Sequence, residues 1–189
     1  MRILCFGDSN TYGFDPCVTF GGRYPPSERW VDILSGETGW EILNYGENGR
    51  EFPRHPGTLS RFSKLVKEKA PDYLIVMLGG NDLLQGASPE TVAERLRKLL
   101  LTAPLEKDKI LVMGPLPVQR GAWVETDQRV ADSVKLAELS CLVAHQEGAH
   151  YADARDWGVS LCFDGVHFTG EGHQVFAREI KKVIEEIIV

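Results

Sequence analysis

The sequence predicts an α/β protein built on a five-stranded parallel sheet with helices on both faces. Three observations lead to this fold class. Short apolar segments alternate with longer segments whose apolar residues recur at helical spacing. The segment 73–78 is apolar throughout, as a parallel strand covered on both faces should be. Strand and helix alternate along the whole chain, which favours parallel strands joined by right-handed crossovers.

Five segments are predicted as strands, each a short apolar run. The first four are followed directly by a glycine, which marks a tight turn at the end of the strand. In chain order the predicted strands cover 3–6, 42–45, 73–78, 110–113 and 151–152.

Helical spacing of apolar residues predicts five helices between and after these strands. The first ends near Gly39, and the second is stopped by Pro71. The third begins at Ser88, whose side chain caps the helix ahead of Pro89. The fifth begins near residue 170. The fourth follows the stripe Val130, Val134, Ala137, Cys141 and Ala144.

Composition narrows the classes of function. The 189 residues are 43% hydrophobic and 25% charged, which predicts a single domain, 1–189, with a full-sized core. A net charge of -6 without a basic run disfavours a nucleic-acid or membrane-surface partner. No apolar stretch has the length of a signal-peptide core or a membrane span, so we expect a cytoplasmic protein. The four cysteines form no C-x-x-C pair, and we expect neither a metal nor a cofactor.

The segment around which the chain is organised follows the first strand and reads Gly7-Asp8-Ser9-Asn10-Thr11-Tyr12-Gly13. In open α/β sheets, ligands bind at the carboxyl ends of the strands, which is where this segment lies. The glycines leave room beside the serine. From its position alone, Ser9 is either a nucleophile or the hydrogen-bonding lip of a phosphate-binding loop.

Three further segments are predicted to meet Ser9 at the same edge. Gly49 follows the second strand, Asn81 follows the third, and Asp164-Gly165-Val166-His167 follows the fifth. An Asp three residues before a His can curl back to the inner nitrogen of the imidazole, which leaves the outer nitrogen free to act as a general base toward a serine. Ser9, His167 and Asp164 therefore form a candidate catalytic triad.

Acyl transfer also requires hydrogen-bond donors for the oxyanion of the tetrahedral intermediate. The backbone N–H groups of Ser9 and Gly49 and the side-chain amide of Asn81 are predicted to supply them from three different loops. Gly46, in the same turn as Gly49, is the second choice for that donor.

These motifs resemble the GDSL/SGNH hydrolase family, whose four marker residues are Ser, Gly, Asn and His. Gly7-Asp8-Ser9 matches the first family block, with Asn10 where the family name has leucine. Gly49 within 44–49 matches the second block, Gly79-Gly80-Asn81-Asp82 the third and Asp164 to His167 the fifth. The resemblance covers the whole chain in order and spacing.

The resemblance implies a flavodoxin-like three-layer α/β/α sandwich that hydrolyses esters or thioesters without a metal. The loop 23–30 is similar to that of the intracellular arylesterase and acyltransferase branch. Members of that branch take short acyl groups and often form homo-oligomers. Candidate substrate-binding residues are Asp8, Asn10, Leu116, Val118, Trp123 and Val166, although for Leu116, Val118 and Trp123 a role in clamping the loop onto the core is an even alternative.

The sequence favours a metal-independent serine esterase that acts on small, short-chain carboxylic esters. Acyl transfer to an alcohol is an alternative outcome of the same chemistry. Its expected partner is a small-molecule ester. One alternative is a lysophospholipase or thioesterase of the same family. A second is a non-catalytic module in which the segment 7–13 binds phosphate or flavin, as flavodoxin-type loops do at this edge. That second alternative leaves Asn81, Asp164 and His167 without a role.

Overall fold

The computed structural model describes residues 1–18 and 20–187, and it confirms the predicted α/β fold class. In chain order its strands and helices are β1 (Arg2–Gly7), α1 (Ser9–Tyr12), β2 (Phe14–Asp15), β3 (Gly22–Arg23), α2 (Trp30–Thr38), β4 (Glu41–Gly46), α3 (Pro56–Lys69), β5 (Tyr73–Met77), α4 (Gly80–Leu84), α5 (Pro89–Thr102), β6 (Ile110–Met113), α6 (Asp127–Glu147), β7 (His150–Ala152) and α7 (Gly170–Ile187).

The five longer strands form one parallel sheet in the order β4-β1-β5-β6-β7. Numbered along the chain, this order is 2-1-3-4-5, the arrangement of flavodoxin-like sheets. The chain leaves β1 toward one edge of the sheet and returns past β1 to β5. Such a reversal opens a crevice at the carboxyl ends of β1 and β5, where ligands bind in folds of this kind.

Helices cover both faces of the sheet, as the three-layer sandwich requires. Along β1, Leu4 and Phe6 face the core shared with α3, α5 and α6, while Ile3 and Cys5 face the core shared with α2 and α7. This alternation follows from the two-residue period of a strand. Both cores are fully buried, so β1 is held rigidly behind the segment that carries Ser9.

The predicted helices are confirmed, and the structure adds which residues of α6 are buried. Its buried residues are Ser133, Leu136, Ala137, Ser140, Val143 and Ala144. Only Ala137 and Ala144 of the predicted stripe are among them. Two serines lie on the buried face, and Ser133 satisfies its hydroxyl by donating to the carbonyl of Val130 at 2.7 Å. Apolar spacing alone could not show this.

Several short elements went unpredicted, and most of them lie at the carboxyl edge of the sheet. The short helices α1 and α4 begin immediately after β1 and β5. The segment 14–28 contains the antiparallel pair β2–β3. Within the described ranges, no helix combines the length and the apolar character needed to cross a membrane.

Candidate active site

Ser9, His167 and Asp164 lie in a continuous line of hydrogen bonds at the carboxyl edge of the sheet. The Oγ of Ser9 is 2.9 Å from the Nε2 of His167, and the Nδ1 of His167 is 2.7 Å from Oδ2 of Asp164. All three residues are buried, with relative exposures of 5%, 2% and 0%. The distances match those of a nucleophile, its general base and the carboxylate that orients the base.

Asp164 is held by the turn that also carries His167. Its Oδ1 accepts hydrogen bonds from the backbone N–H of Val166 at 2.9 Å and of His167 at 3.0 Å. The turn is possible because Gly165 adopts a φ of 78°, where a Cβ would also meet the carbonyl of Gln119 at 2.0 Å. The carboxylate therefore has one oxygen committed to the backbone and one to the imidazole.

Two of the three predicted oxyanion donors lie in the first turns of helices, Ser9 in α1 and Asn81 in α4, and the third, Gly49, lies in the turn after β4. The side-chain amide of Asn81 donates one hydrogen bond to the carbonyl of Arg50 at 3.1 Å, which leaves its second N–H for another acceptor. In the described part of the chain, the N–H groups of Ser9 and Gly49 have no protein acceptor. All three groups therefore retain a hydrogen that a ligand oxygen could accept.

The geometry separates Gly49 from the alternative, Gly46. The N–H of Gly46 already donates to the Asn44 side chain at 2.9 Å. A Cβ at Gly46 would lie 2.1 Å from the backbone nitrogen of Tyr12, so glycine is required here for packing against α1. Gly49 instead lies in an exposed turn with a φ of 73° and open space around its Cα. The structure therefore favours Gly49 as the donor.

Arg50 is a residue of this region that the sequence reasoning missed. Its guanidinium donates to the carbonyl of Gly7 at 2.9 Å and also to that of Tyr45, while its own carbonyl accepts from Asn81. The Cζ of Arg50 lies over the Phe6 ring, 4.3 Å from its centroid. Arg50 thus ties together the ends of β1 and β4 and the segment that follows β5. A lone arginine after a glycine turn carries no signal for this, because its partners are backbone carbonyls of distant segments.

Two buried aspartates support the loops around the site. Asp82 accepts from the N–H of Phe52 at 3.0 Å and pairs with Arg95 at 2.5 Å. Asp8 caps α1 by accepting from the N–H of Asn10 at 3.0 Å. Burial raises the pKa of Asp8 to about 6. It also raises the pKa of Asp82, an effect opposed by the bond to Arg95.

A small cleft opens beside Ser9, with room of about 30 Å³, enough for one or two water molecules. Five of the six candidate substrate-binding residues line it. The sixth, Trp123, is not in its wall. The five are Asp8, Asn10, Leu116, Val118 and Val166.

Aromatic rings flank the imidazole at the mouth of the site. Trp123 lies edge-on to His167 with ring centroids 4.9 Å apart, and it is 53% exposed. Phe14, at the start of the segment 14–28, packs on His167 with ring centroids 4.7 Å apart. The backbone N–H of Trp123 donates to the carbonyl of Asp164 at 3.1 Å. Trp123 is therefore attached to the turn that holds the triad, and its ring remains available to a substrate.

A larger groove, of about 630 Å³, lies apart from the triad, between α3 and the segment 47–55. It is lined by Phe52, Phe62 and Arg61 among others, and it contains neither Ser9 nor His167. Because the reactive groups lie elsewhere, size alone does not make this groove the site of chemistry.

The fold and the site together define a class of α/β protein, one with a flavodoxin-like sheet and a Ser-His-Asp arrangement at its carboxyl edge. A family model described as GDSL-like lipase/acylhydrolase matches residues 5–175. The chain belongs to this family, which confirms the resemblance read from its motifs.

Individual relatives agree with this assignment. The esterase TesA of Pseudomonas aeruginosa is 30% identical over 124 residues, a match that covers 62% of this chain and 60% of TesA. An uncharacterized lipoprotein of Bacillus subtilis, YqeF, is 35% identical over 103 residues, or 52% of this chain and 40% of YqeF. The matched region thus spans about half the length of these relatives.

Solved structures share the fold over almost the full chain. The carbohydrate acetylesterase Est24 from Sinorhizobium meliloti superposes with a TM-score of 0.85 at 23% identity, covering 98% of this chain and 99% of Est24. The aryl esterase of M. smegmatis superposes with a TM-score of 0.83 at 22% identity, covering 98% of this chain and 99% of the other. At these identities the likeness concerns the fold.

Proposed function

We propose that the protein hydrolyses small carboxylic esters through a covalent acyl-enzyme formed on Ser9. The observation that carries this proposal is the line of contacts from Ser9 Oγ to His167 Nε2 at 2.9 Å and from His167 Nδ1 to Asp164 at 2.7 Å. The esterase TesA among the relatives agrees with ester substrates. The phosphate- or flavin-binding alternative fits less well, because the Ser9 hydroxyl is engaged by an imidazole.

In the first half of the reaction, Ser9 Oγ attacks the ester carbonyl carbon and its proton passes to His167 Nε2. The carbonyl oxygen becomes an oxyanion that accepts from the N–H groups of Ser9 and Gly49 and from the free N–H of Asn81. The intermediate collapses when the C–O bond to the alcohol breaks. His167 then returns the proton to the departing alcohol, which leaves the acyl group on Ser9.

In the second half, a water molecule attacks the acyl carbon while His167 accepts one of its protons. Collapse of this second intermediate releases the carboxylic acid and restores the Ser9 hydroxyl. An alcohol in place of water would give acyl transfer. Throughout, Asp164 stabilises the imidazolium by accepting from Nδ1. The base, the nucleophile and the oxyanion donors are all supplied by the chain itself, so we propose that the reaction needs no metal.

Substrates with short acyl groups suit the cleft beside Ser9. Its room of about 30 Å³ accommodates an acetyl group more readily than a long acyl chain. A third relative, thioesterase 1/protease 1/lysophospholipase L1 of Escherichia coli, is 28% identical over 102 residues, so long-chain esters and thioesters are the competing substrates to test.

The test is the hydrolysis of p-nitrophenyl acetate, butyrate and octanoate by the wild type and by Ser9→Ala, with and without a chelator. We expect turnover that resists the chelator, falls with acyl length and drops at least about 10³-fold in Ser9→Ala. Activity retained in Ser9→Ala would refute the nucleophile. A preference for octanoate over acetate would refute the short-chain assignment and leave the esterase standing.

Location and assembly are further proposals. We propose a cytoplasmic protein, although one relative is named a lipoprotein, and cell fractionation tests this directly. Homo-oligomer formation is tested by light scattering of the purified chain.

A further inference from the structure

The side chain of Asn10 joins the segment that carries Ser9 to the segment that carries His167. Its Nδ2 donates to the carbonyl of Val166 at 3.1 Å. Its Oδ1 accepts from the N–H of Phe168 at 2.9 Å. Val166 and Phe168 are the two neighbours of His167, so one amide grips the backbone on both sides of the imidazole, much as a paired strand would.

Apart from the contact with Ser9, the hydrogen bonds of His167 come from its own segment, so they do not fix its distance from Ser9. Asp164 lies three residues before His167 in the same turn, so their mutual bonds orient the imidazole within that turn. Asn10, in contrast, is adjacent to Ser9 in sequence and 158 residues from Phe168. A bond between Asn10 and the histidine segment therefore fixes one segment relative to the other.

The backbone of Asn10 is itself held in place by two hydrogen bonds. The side chain of Asp8 accepts from the backbone N–H of Asn10, and the indole N–H of Trp30 donates to the carbonyl of Asn10 at 3.0 Å. Trp30 is only 1% exposed and belongs to the core beneath α2. Since the backbone of Asn10 is anchored to the core, its amide can transmit that position to Val166 and Phe168.

We propose that Asn10 is a positioning residue for the triad, which holds His167 Nε2 within hydrogen-bond reach of Ser9 Oγ. This inference rests on the proposed function, and it assigns to Asn10 a role different from substrate binding. The role needs a side chain that donates and accepts at once. Leucine, which the family name has at this position, can do neither, and an ionised aspartate can only accept.

The first variant is Asn10→Leu, compared with wild type on p-nitrophenyl acetate. A displacement of the base by an ångström or less can cost about 10²-fold in rate. We therefore expect kcat to fall by about 10- to 100-fold while KM changes less than about twofold. Ile184→Val is the matched control: it removes a buried methylene in α7, which lowers stability, and should leave kcat unchanged.

The second variant, Asn10→Asp, supplies a pH signature. When ionised, the carboxylate keeps the bond from Phe168 but opposes the carbonyl of Val166. When protonated, it can donate to that carbonyl and restore both hydrogen bonds. The ratio of kcat in Asn10→Asp to kcat in wild type should therefore rise as the pH falls, whereas the ratio for Asn10→Leu should stay flat. If the kcat ratio stays flat with pH for both variants, the proposal that Asn10 acts through hydrogen bonds on both sides of His167 is contradicted.

A crystal structure of Asn10→Leu tests the proposal without any substrate. We expect the separation of Ser9 Oγ and His167 Nε2 to lengthen from 2.9 Å to beyond about 3.5 Å. Unchanged kcat, or a lowered kcat with the 2.9 Å contact intact, would overturn the proposal. If wild type hydrolyses no ester but the separation lengthens in the variant, the proposed function fails and the positioning role stands.

Discussion

Substitution of Asp164 by asparagine should inactivate the enzyme by trapping the wrong tautomer of His167. In the structure, Oδ1 of Asp164 accepts from the backbone N–H groups of Val166 and His167, while Oδ2 faces His167 Nδ1. The amide of Asp164→Asn must keep its oxygen toward the two N–H groups, because its NH₂ would clash there. The NH₂ then points at Nδ1 and forces that nitrogen to accept.

The consequence is that the imidazole proton moves to Nε2, the atom that must accept the proton of Ser9 Oγ. The same substitution in a serine protease triad lowers kcat by about 10⁴, which corresponds to about 5 kcal/mol of transition-state stabilisation. We expect a loss of the same order here. Because both backbone N–H groups keep an acceptor, the fold should survive with only a small change in Tm.

The assay is kcat/KM on p-nitrophenyl acetate between pH 6 and 9. Asp153→Asn is the matched control, since Asp153 also follows β7 but bonds Arg155 at the surface. It should retain wild-type activity. An Asp164→Asn variant with a normal Tm and activity within tenfold of wild type would refute the tautomer argument and remove Asp164 from the triad.

Two more predictions concern groups outside the triad. Burial between Tyr24 and Phe168 lowers the pKa of His173 from 6.5 to about 3, so the stability that its neutral ring contributes is complete above pH 6.5 and is lost as the pH falls toward 3. Between pH 7 and 4.5, the free energy of unfolding measured in urea should therefore fall by about 2 to 3 kcal/mol less for His173→Phe than for wild type. An equal fall in both proteins would contradict this. Arg50→Lys replaces a forked donor with a single ammonium that cannot hold both carbonyls. It should lower kcat about tenfold or more with little effect on KM, and a purely KM effect would show that Arg50 does not act through the oxyanion loops.

Much of the fold was predictable because the signals were local. The central strand 73–78 is an unbroken apolar run, and Ser88 ahead of Pro89 marks the start of α5, where the Ser88 hydroxyl does accept from the N–H of Thr91. The spacing of Asp164 and His167 fits within one turn, so it was visible in the sequence. Each of these features depends on neighbours a few residues apart.

What could not be predicted depends on contacts between distant segments. The buried face of α6 includes Ser133 because the N–H of Val118, in a loop before the helix, needs an acceptor there. The role of Arg50 depends on the carbonyls of Gly7 and Tyr45, which no periodicity reveals. The sequence predicted Asn10 as a candidate substrate-binding residue, yet the partners of its side chain lie 156 and 158 residues further along the chain.

The parallel order of the sheet has a consequence for how activity arises during synthesis. Ser9 is synthesised 158 residues before its base, which is seated only when the segment between β7 and α7 has docked. A nascent chain that has not yet reached His167 therefore carries Ser9 without its base. The proposed ester hydrolysis would therefore report that the sheet is complete from β1 to β7, and an esterase assay would measure the refolding yield directly.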